Sequence, residues 1–126
     1  MFDYAAADRS LGILYREAPS WPIGIGNRNK SRAHLEAAVE QKPEYPENHI
    51  CLAEAYARWG EVQNLDRQLR LLNDLIPRAQ KHFAGEQWRA SWDDWQTRIR
   101  QLQKTRERLF SSPRISPSER GARPNR

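Results

Sequence analysis

The sequence predicts an all-α protein made of two antiparallel helix hairpins, a long C-terminal capping helix and a disordered tail. No segment combines alternating apolar and polar residues with the β-branched enrichment that is typical of strands. Prolines and glycines instead divide the chain into stretches whose apolar residues recur at helical spacing. A length of 126 residues gives room for one domain of ordinary size.

The predicted helices cover residues 4–16, 29–41, 47–59, 62–75 and 86–109. Gly60 is expected to end the third helix, since glycine readily adopts the left-handed conformation of a helix end. Pro77 is expected to end the fourth helix, because a proline in a helix interior removes a hydrogen bond and clashes with the preceding turn. Residues 17–28 contain two prolines and are predicted to form a loop.

These elements predict a helical domain over residues 1–110, with hairpins at about 4–41 and 47–76, and a basic disordered tail over 111–126. The tail holds four arginines and one glutamate, so it supplies +3 of the net charge of +5. Such a tail is usually a solvated end, although it also allows contact with nucleic acid. We therefore rank nucleic acid as the least favoured partner.

A repeat is visible in the prolines and in the residues that precede them. The first unit reads Leu11, Gly12, Tyr15, Leu35 and Pro43, and the second reads Leu52, Ala53, Tyr56, Leu69 and Pro77. The two prolines are 34 residues apart, and the pattern resembles the tetratricopeptide repeat (TPR) family. The resemblance implies stacked helix hairpins, with a small residue at Gly12 and Ala53 where the two helices of a hairpin approach closely.

The resemblance implies a scaffold that binds a peptide or partner protein on the concave face of the repeats and performs no catalysis. In the family, the first helix of each unit lines that face. Matched by position, the implied partner-binding residues are Arg9, Ile13, Arg16, Glu47, Ile50, Glu54 and Arg58. The alternative is an accessory ligand-handling component of a bacterial transport system. The first unit carries seven extra residues, which makes its loop similar to that of the TPR partners of bacterial periplasmic solute transporters.

The stretch GIGNRNKS, residues 24–31, is close to the phosphate-loop pattern G-x-x-x-x-G-K-[ST]. Asn29 stands where the second glycine is required, and the preceding prolines exclude a central strand. We therefore predict no nucleotide site, and we expect Asn27 or Asn29 to cap the helix that follows. A less favoured alternative is an anion held at this helix start by Arg28, Lys30 and Arg32.

No catalytic, metal or cofactor site is predicted. Cys51 is the only cysteine, which excludes an intrachain disulfide and a thiol metal cluster. The three histidines, His34, His49 and His82, lack metal-ligand spacing. No serine lies in a nucleophile-elbow pattern. The sequence thus predicts that the protein is not an enzyme.

The last predicted helix carries an apolar seam that includes three tryptophans. We expect Trp88, Trp92 and Trp95 to be buried against Leu65, Leu69 and Leu72, because a repeat array needs its last apolar face covered. A dimer seam is the rival interpretation, since the spacing also fits a coiled coil. An aromatic platform for bases or sugars is the third.

Location and assembly are weakly constrained by the sequence. No apolar run is long enough to cross a bilayer. The first ten residues lack the basic and apolar regions of a secretory signal. The sequence favours the cytoplasm by default, and it favours the periplasm only if upstream sequence is missing. It predicts neither the partner's identity nor the oligomeric state.

Overall fold

A computed structural model of the protein describes residues 5–17 and 27–111. This part of the chain contains five α-helices and no strand, so the predicted all-α class is confirmed. The helices are α1 (Ala6–Glu17), α2 (Arg28–Gln41), α3 (Pro46–Trp59), α4 (Val62–His82) and α5 (Arg89–Ser111), and a short 3-10 helix (Glu86–Trp88) precedes α5. None of these helices is long and apolar enough to cross a membrane. The predicted tail after Ser111 and residues 18–26 of the predicted loop lie outside the described residues.

Local sequence explains where several helices begin and end. Asn27 caps α2, and its side-chain oxygen accepts a hydrogen bond from the Lys30 backbone N–H at 2.9 Å. Pro46 lies in the first turn of α3, where backbone N–H groups have no acceptor within the helix, so the missing N–H of proline costs no helical hydrogen bond. Gly60 follows α3 with a φ of 73°, a left-handed conformation that favours glycine.

The prediction that Pro77 ends the fourth helix is wrong. α4 continues through Pro77 as far as His82. Leu75, Ala79 and Phe83 follow one another at steps of four and are all buried, so the apolar stripe extends past the proline. Burial of these side chains offsets the cost of a proline inside a helix, which is about 3 kcal/mol.

α3 lies at the centre of the structure. It packs along α4 and also contacts α1, α2 and α5, while α1 packs along α2 and α5 contacts α4. One core cluster includes buried side chains of α2, α3, α4 and α5, and half-buried Ile13 of α1 packs against it. Its largest fully buried apolar side chains are Leu35, Ile50, Leu52, Leu65, Leu72, Phe83 and Trp95.

The three tryptophans of the last helical region are buried to different degrees. Trp95 is only 1% exposed, whereas Trp88 and Trp92 are half-buried. Their rings contact Tyr45, Phe83 and one another, mostly edge to face. The Trp92 indole N–H also donates to the Phe83 carbonyl at 2.8 Å. The aromatic side chains therefore gather where α4 ends and α3 begins.

The prediction that these tryptophans pack against Leu65, Leu69 and Leu72 is wrong, because the register of α5 along α4 differs from the one expected. α4 and α5 run antiparallel, since Trp92 binds Phe83 at one end and Arg106 binds Asp66 at the other. The helical rise between Leu65 and Phe83 is roughly 27 Å. The leucines at this far end, Leu65, Leu69 and Leu72, therefore lie opposite the second half of α5, which contains buried Leu102.

Gly12 marks a close approach of α1 and α2, and this close packing gives a stability prediction. A Cβ atom at Gly12 would lie 2.5 Å from Leu35 Cγ and 3.1 Å from the Leu35 backbone nitrogen. Gly12→Ala should therefore lower the free energy of unfolding by about 1–3 kcal/mol through overpacking, although alanine has the better helix propensity. Urea unfolding followed by circular dichroism measures the change. Ser10→Ala, at an exposed position of α1, is the control and should change stability by less than about 0.5 kcal/mol. A Gly12→Ala protein as stable as the native chain would contradict the close packing.

Because α4 continues through Pro77, replacing this proline should raise the free energy of unfolding, whereas Gly12→Ala should lower it. Pro77→Ala restores a helical N–H at an exposed position, while the more flexible unfolded chain offsets part of the gain. The free energy of unfolding should rise by about 2 kcal/mol. Pro43→Ala, in the turn before α3, should instead lower it by about 0.4–1 kcal/mol, because it affects only the unfolded chain. If Pro77→Ala destabilises the protein, α4 does not continue as described.

Candidate partner-binding surface

The three predicted residues of α1 are half-buried. Arg9 reaches the start of α3, where its Nη1 donates a hydrogen bond of 2.6 Å to Asn48 Oδ1. The Arg9 guanidinium also lies 5.5 Å from the centre of the Tyr45 ring. Ile13 packs against the core cluster, and Arg16 lies one turn further along α1. Arg9 and Ile13 thus help to join α1 to the rest of the protein.

The four predicted residues of α3 have three different environments. Ile50 has no exposed surface and is part of the core, so it offers no contact to a partner. Arg58, near the end of α3, is exposed. Glu47 and Glu54 are half-buried, and both bind Arg98 of α5. The structure brings these two carboxylates together around a residue that the sequence analysis did not single out.

The Arg98 cluster consists of Arg98, Glu47, Glu54 and Asp94. Arg98 Nη1 donates to Glu47 Oε1 at 3.0 Å and to Asp94 Oδ2 at 2.9 Å. Arg98 Nε and Nη2 donate to the two oxygens of Glu54, both at 2.9 Å. The Trp95 indole N–H adds a hydrogen bond of 2.8 Å to Glu47 Oε1. The bidentate pair with Glu54 fixes the orientation of the two groups as well as their distance.

Electrostatics keep Arg98 charged and Cys51 neutral. Burial opposes the charge of Arg98, but hydrogen bonds to Glu54 and the charge of Glu47 outweigh it and raise the pKa of Arg98. Cys51 Sγ donates to Glu47 Oε2 at 3.2 Å. Burial, together with the negative charge of Glu47, raises the pKa of the Cys51 thiol to about 12. The thiol is therefore protonated at neutral pH, which makes it a poor nucleophile.

Arg28 and Arg32, at the start of α2, are engaged with other parts of the protein. The Arg32 guanidinium forms a bidentate pair with Glu61, with bonds of 2.8 and 2.5 Å. This pairing lowers the pKa of Glu61. Arg28 and Arg32 lie 5.5 and 5.1 Å from the centre of the Trp59 ring. These contacts tie α2 to the end of α3, and they weaken the alternative of an anion site at this helix start.

His34 and His49 form hydrogen bonds that join different elements of the structure. His49 is buried, with Nδ1 3.0 Å from Gln68 Oε1 and Nε2 2.7 Å from the Pro43 carbonyl oxygen. His34 Nδ1 lies 2.8 Å from Asp8 Oδ1, and this hydrogen bond lowers the pKa of Asp8. Within the described part of the chain, no three histidine, cysteine or acidic side chains form a group that could hold a metal ion.

The sequence did not identify Arg98 as part of the site, because its partners Glu47 and Glu54 are distant in sequence. Asp94 and Arg98 are four residues apart, a spacing that favours an ion pair on a helix. No local signal connects Arg98 with Glu47, 51 residues away. Only the packing of α5 on α3 identifies the cluster.

Comparison of the chain with protein-family models found no match, and comparison with curated proteins found none either. Function is therefore inferred from the contacts described above.

The Arg98 cluster predicts a large effect of one substitution. Arg98→Ala leaves Glu47 and Glu54 without their partner, and an uncompensated, partly buried charge should lower the free energy of unfolding by about 3 kcal/mol. Chemical denaturation measures this loss. Arg100→Ala is the matched control, since Arg100 is exposed and should change stability by less than about 0.5 kcal/mol. Equal effects of the two substitutions would show that Arg98 does not anchor α5.

Proposed function

We propose that the protein is a tetratricopeptide-like scaffold that binds a peptide or a partner protein and performs no catalysis. The order of the helices supports this function. α3 contacts both α1 and α5, while α1 packs along α2 and α3 along α4. In the family that the sequence resembles, the first helices of successive units stand side by side and line the binding face. α1, α3 and α5 have the neighbour relations that such an arrangement requires.

The observation that carries the proposal is a row of charges along α3, two of which are held in place by Arg98 of α5. Glu47, Glu54 and Arg58 follow at steps of seven and four, which puts them on one side of α3. The Glu47 and Glu54 side chains remain 20% and 29% exposed although they bind Arg98. Polar groups that are already held in place lose less conformational entropy on binding than free side chains do. This row therefore suits recognition of a polar or charged segment.

The environments of Cys51 and His49 support a role without catalysis. The Cys51 thiol is buried and protonated at neutral pH, so it is poorly suited to nucleophilic attack. His49 uses both ring nitrogens in hydrogen bonds that join α3 to α4 and to the preceding turn. Neither side chain is available to act on a substrate.

Photo-crosslinking from defined positions tests this function. A photoreactive amino acid in place of Arg16 or Arg58 should capture a partner protein in cells that express the chain. The same amino acid in place of Arg67 or Gln80, which are exposed on α4, should capture none. Equal capture from both sets of positions would contradict the proposed face.

The captured partner, once identified and purified, allows a direct measurement of affinity. Arg16→Glu combined with Arg58→Glu should weaken binding in calorimetry by about tenfold or more, because opposite charges then face the partner. Arg67→Glu should leave the affinity unchanged, and circular dichroism should show the same helix content in all variants. Binding that survives the double charge reversal would place the partner elsewhere.

A further inference from the structure

The solvent side of α5 carries three cations in a row, Arg100, Lys104 and Arg108, which we call the α5 ridge. All three are exposed. Steps of four residues keep them on one side of the helix, over about 12 Å of its length. Leu102 lies on the opposite side of α5 and is buried. The ridge therefore points away from the body of the protein.

The ridge cations differ from the two arginines beside them on α5. Arg98 and Arg106 bind carboxylates of α3 and α4. In contrast, no carboxylate of a described residue lies within 4.0 Å of a ridge nitrogen. Arg100 and Arg108 donate only to threonine hydroxyls of their own helix, at 3.3 and 3.5 Å. The described structure thus leaves three adjacent positive charges without a carboxylate in contact, and with the exposed Glu107 beside them on α5 the ridge keeps a net charge of +2.

Positive charge is concentrated at this end of the chain. Nine of the 21 lysines and arginines, but only two of the 16 acidic residues, fall in residues 97–126, which therefore carry +7. The whole chain carries +5, so residues 1–96 carry −2. Such an asymmetric charge distribution attracts a polyanion to one end of the molecule.

The composition of the ridge indicates which polyanion fits it. An interface between proteins usually has an apolar centre, and a helix that lies on a membrane inserts an apolar face. The ridge has neither, because its neighbours Thr97, Gln101 and Glu107 are polar or charged and the buried apolar residues of α5, Trp95 and Leu102, face the protein. A nucleic-acid backbone needs only cations and polar donors, since contacts to phosphate dominate its affinity.

We propose that the α5 ridge binds the phosphate backbone of nucleic acid without sequence preference. Arg100, Lys104 and Arg108 each contact a phosphate. This activity is separate from the proposed protein-binding function, because it uses the opposite side of α5 from the one that packs on the protein.

Fluorescence anisotropy tests the proposal with the full chain and a labelled oligonucleotide of about 20 nucleotides, single-stranded or duplex. Three phosphate contacts contribute about −2 to the slope of log K against log salt for a single strand and about −3 for a duplex. The triple variant Arg100→Gln, Lys104→Gln, Arg108→Gln should reduce the slope by these amounts. It should also weaken binding at low salt by about tenfold or more.

A matched triple variant separates the ridge from net charge. Arg67→Gln, Arg78→Gln and Lys81→Gln remove the same charge from exposed positions of α4, and they should leave the salt slope unchanged. Equal weakening by both triples would overturn the proposal, as would absence of binding by the native chain at low salt. Polyglutamate or anionic lipid vesicles that compete as well as the oligonucleotide would also overturn it, and would indicate an acidic protein or a membrane instead.

Discussion

The pairing of Arg98 with Glu47 and Glu54 is the interaction on which the position of α5 depends. α5 is 23 residues long, yet only Trp95 and Leu102 of this helix are buried. Apolar contact is non-directional, so buried side chains alone define the rotation and the register of the helix less sharply than directional bonds do. The bidentate bond between Arg98 and Glu54 adds that definition, because it demands one orientation of both groups.

A second constraint acts where α4 ends. Phe83 meets Tyr45 and Trp95 with ring centroids 5.5 and 6.3 Å apart and ring planes inclined by 61° and 77°, an edge-to-face arrangement that aromatic quadrupoles favour. Phe83 reaches this position only because α4 continues through Pro77. The continued helix, the aromatic cluster and the Arg98 cluster thus support one another, and together they hold α5 against α3 and α4.

The same arrangement divides the charges of α5 between two sides. Arg98 and Arg106 are held by carboxylates of α3 and α4, and they stabilise the fold. Arg100, Lys104 and Arg108 are left on the solvent side, where no carboxylate of a described residue is in contact with them. The two roles that we propose use this division: the mixed-charge row on α3 for a protein segment, and the cation-rich α5 ridge for phosphate.

The sequence by itself determined the all-α class and the ends of α2 and α3, because caps and breaks such as Asn27 and Gly60 act through neighbouring residues. The close approach at Gly12 was also predictable, from a small residue in a recurring pattern. Tertiary structure decided the rest. Leu11 and Leu52 occupy matching motif positions, yet they are 41% and 2% exposed, since only Leu52 is surrounded by other helices. The continuation through Pro77, the burial of Ile50 and the partners of Arg98 share this cause: hydrophobic periodicity shows that a helix has an inner face but not which distant helix covers it.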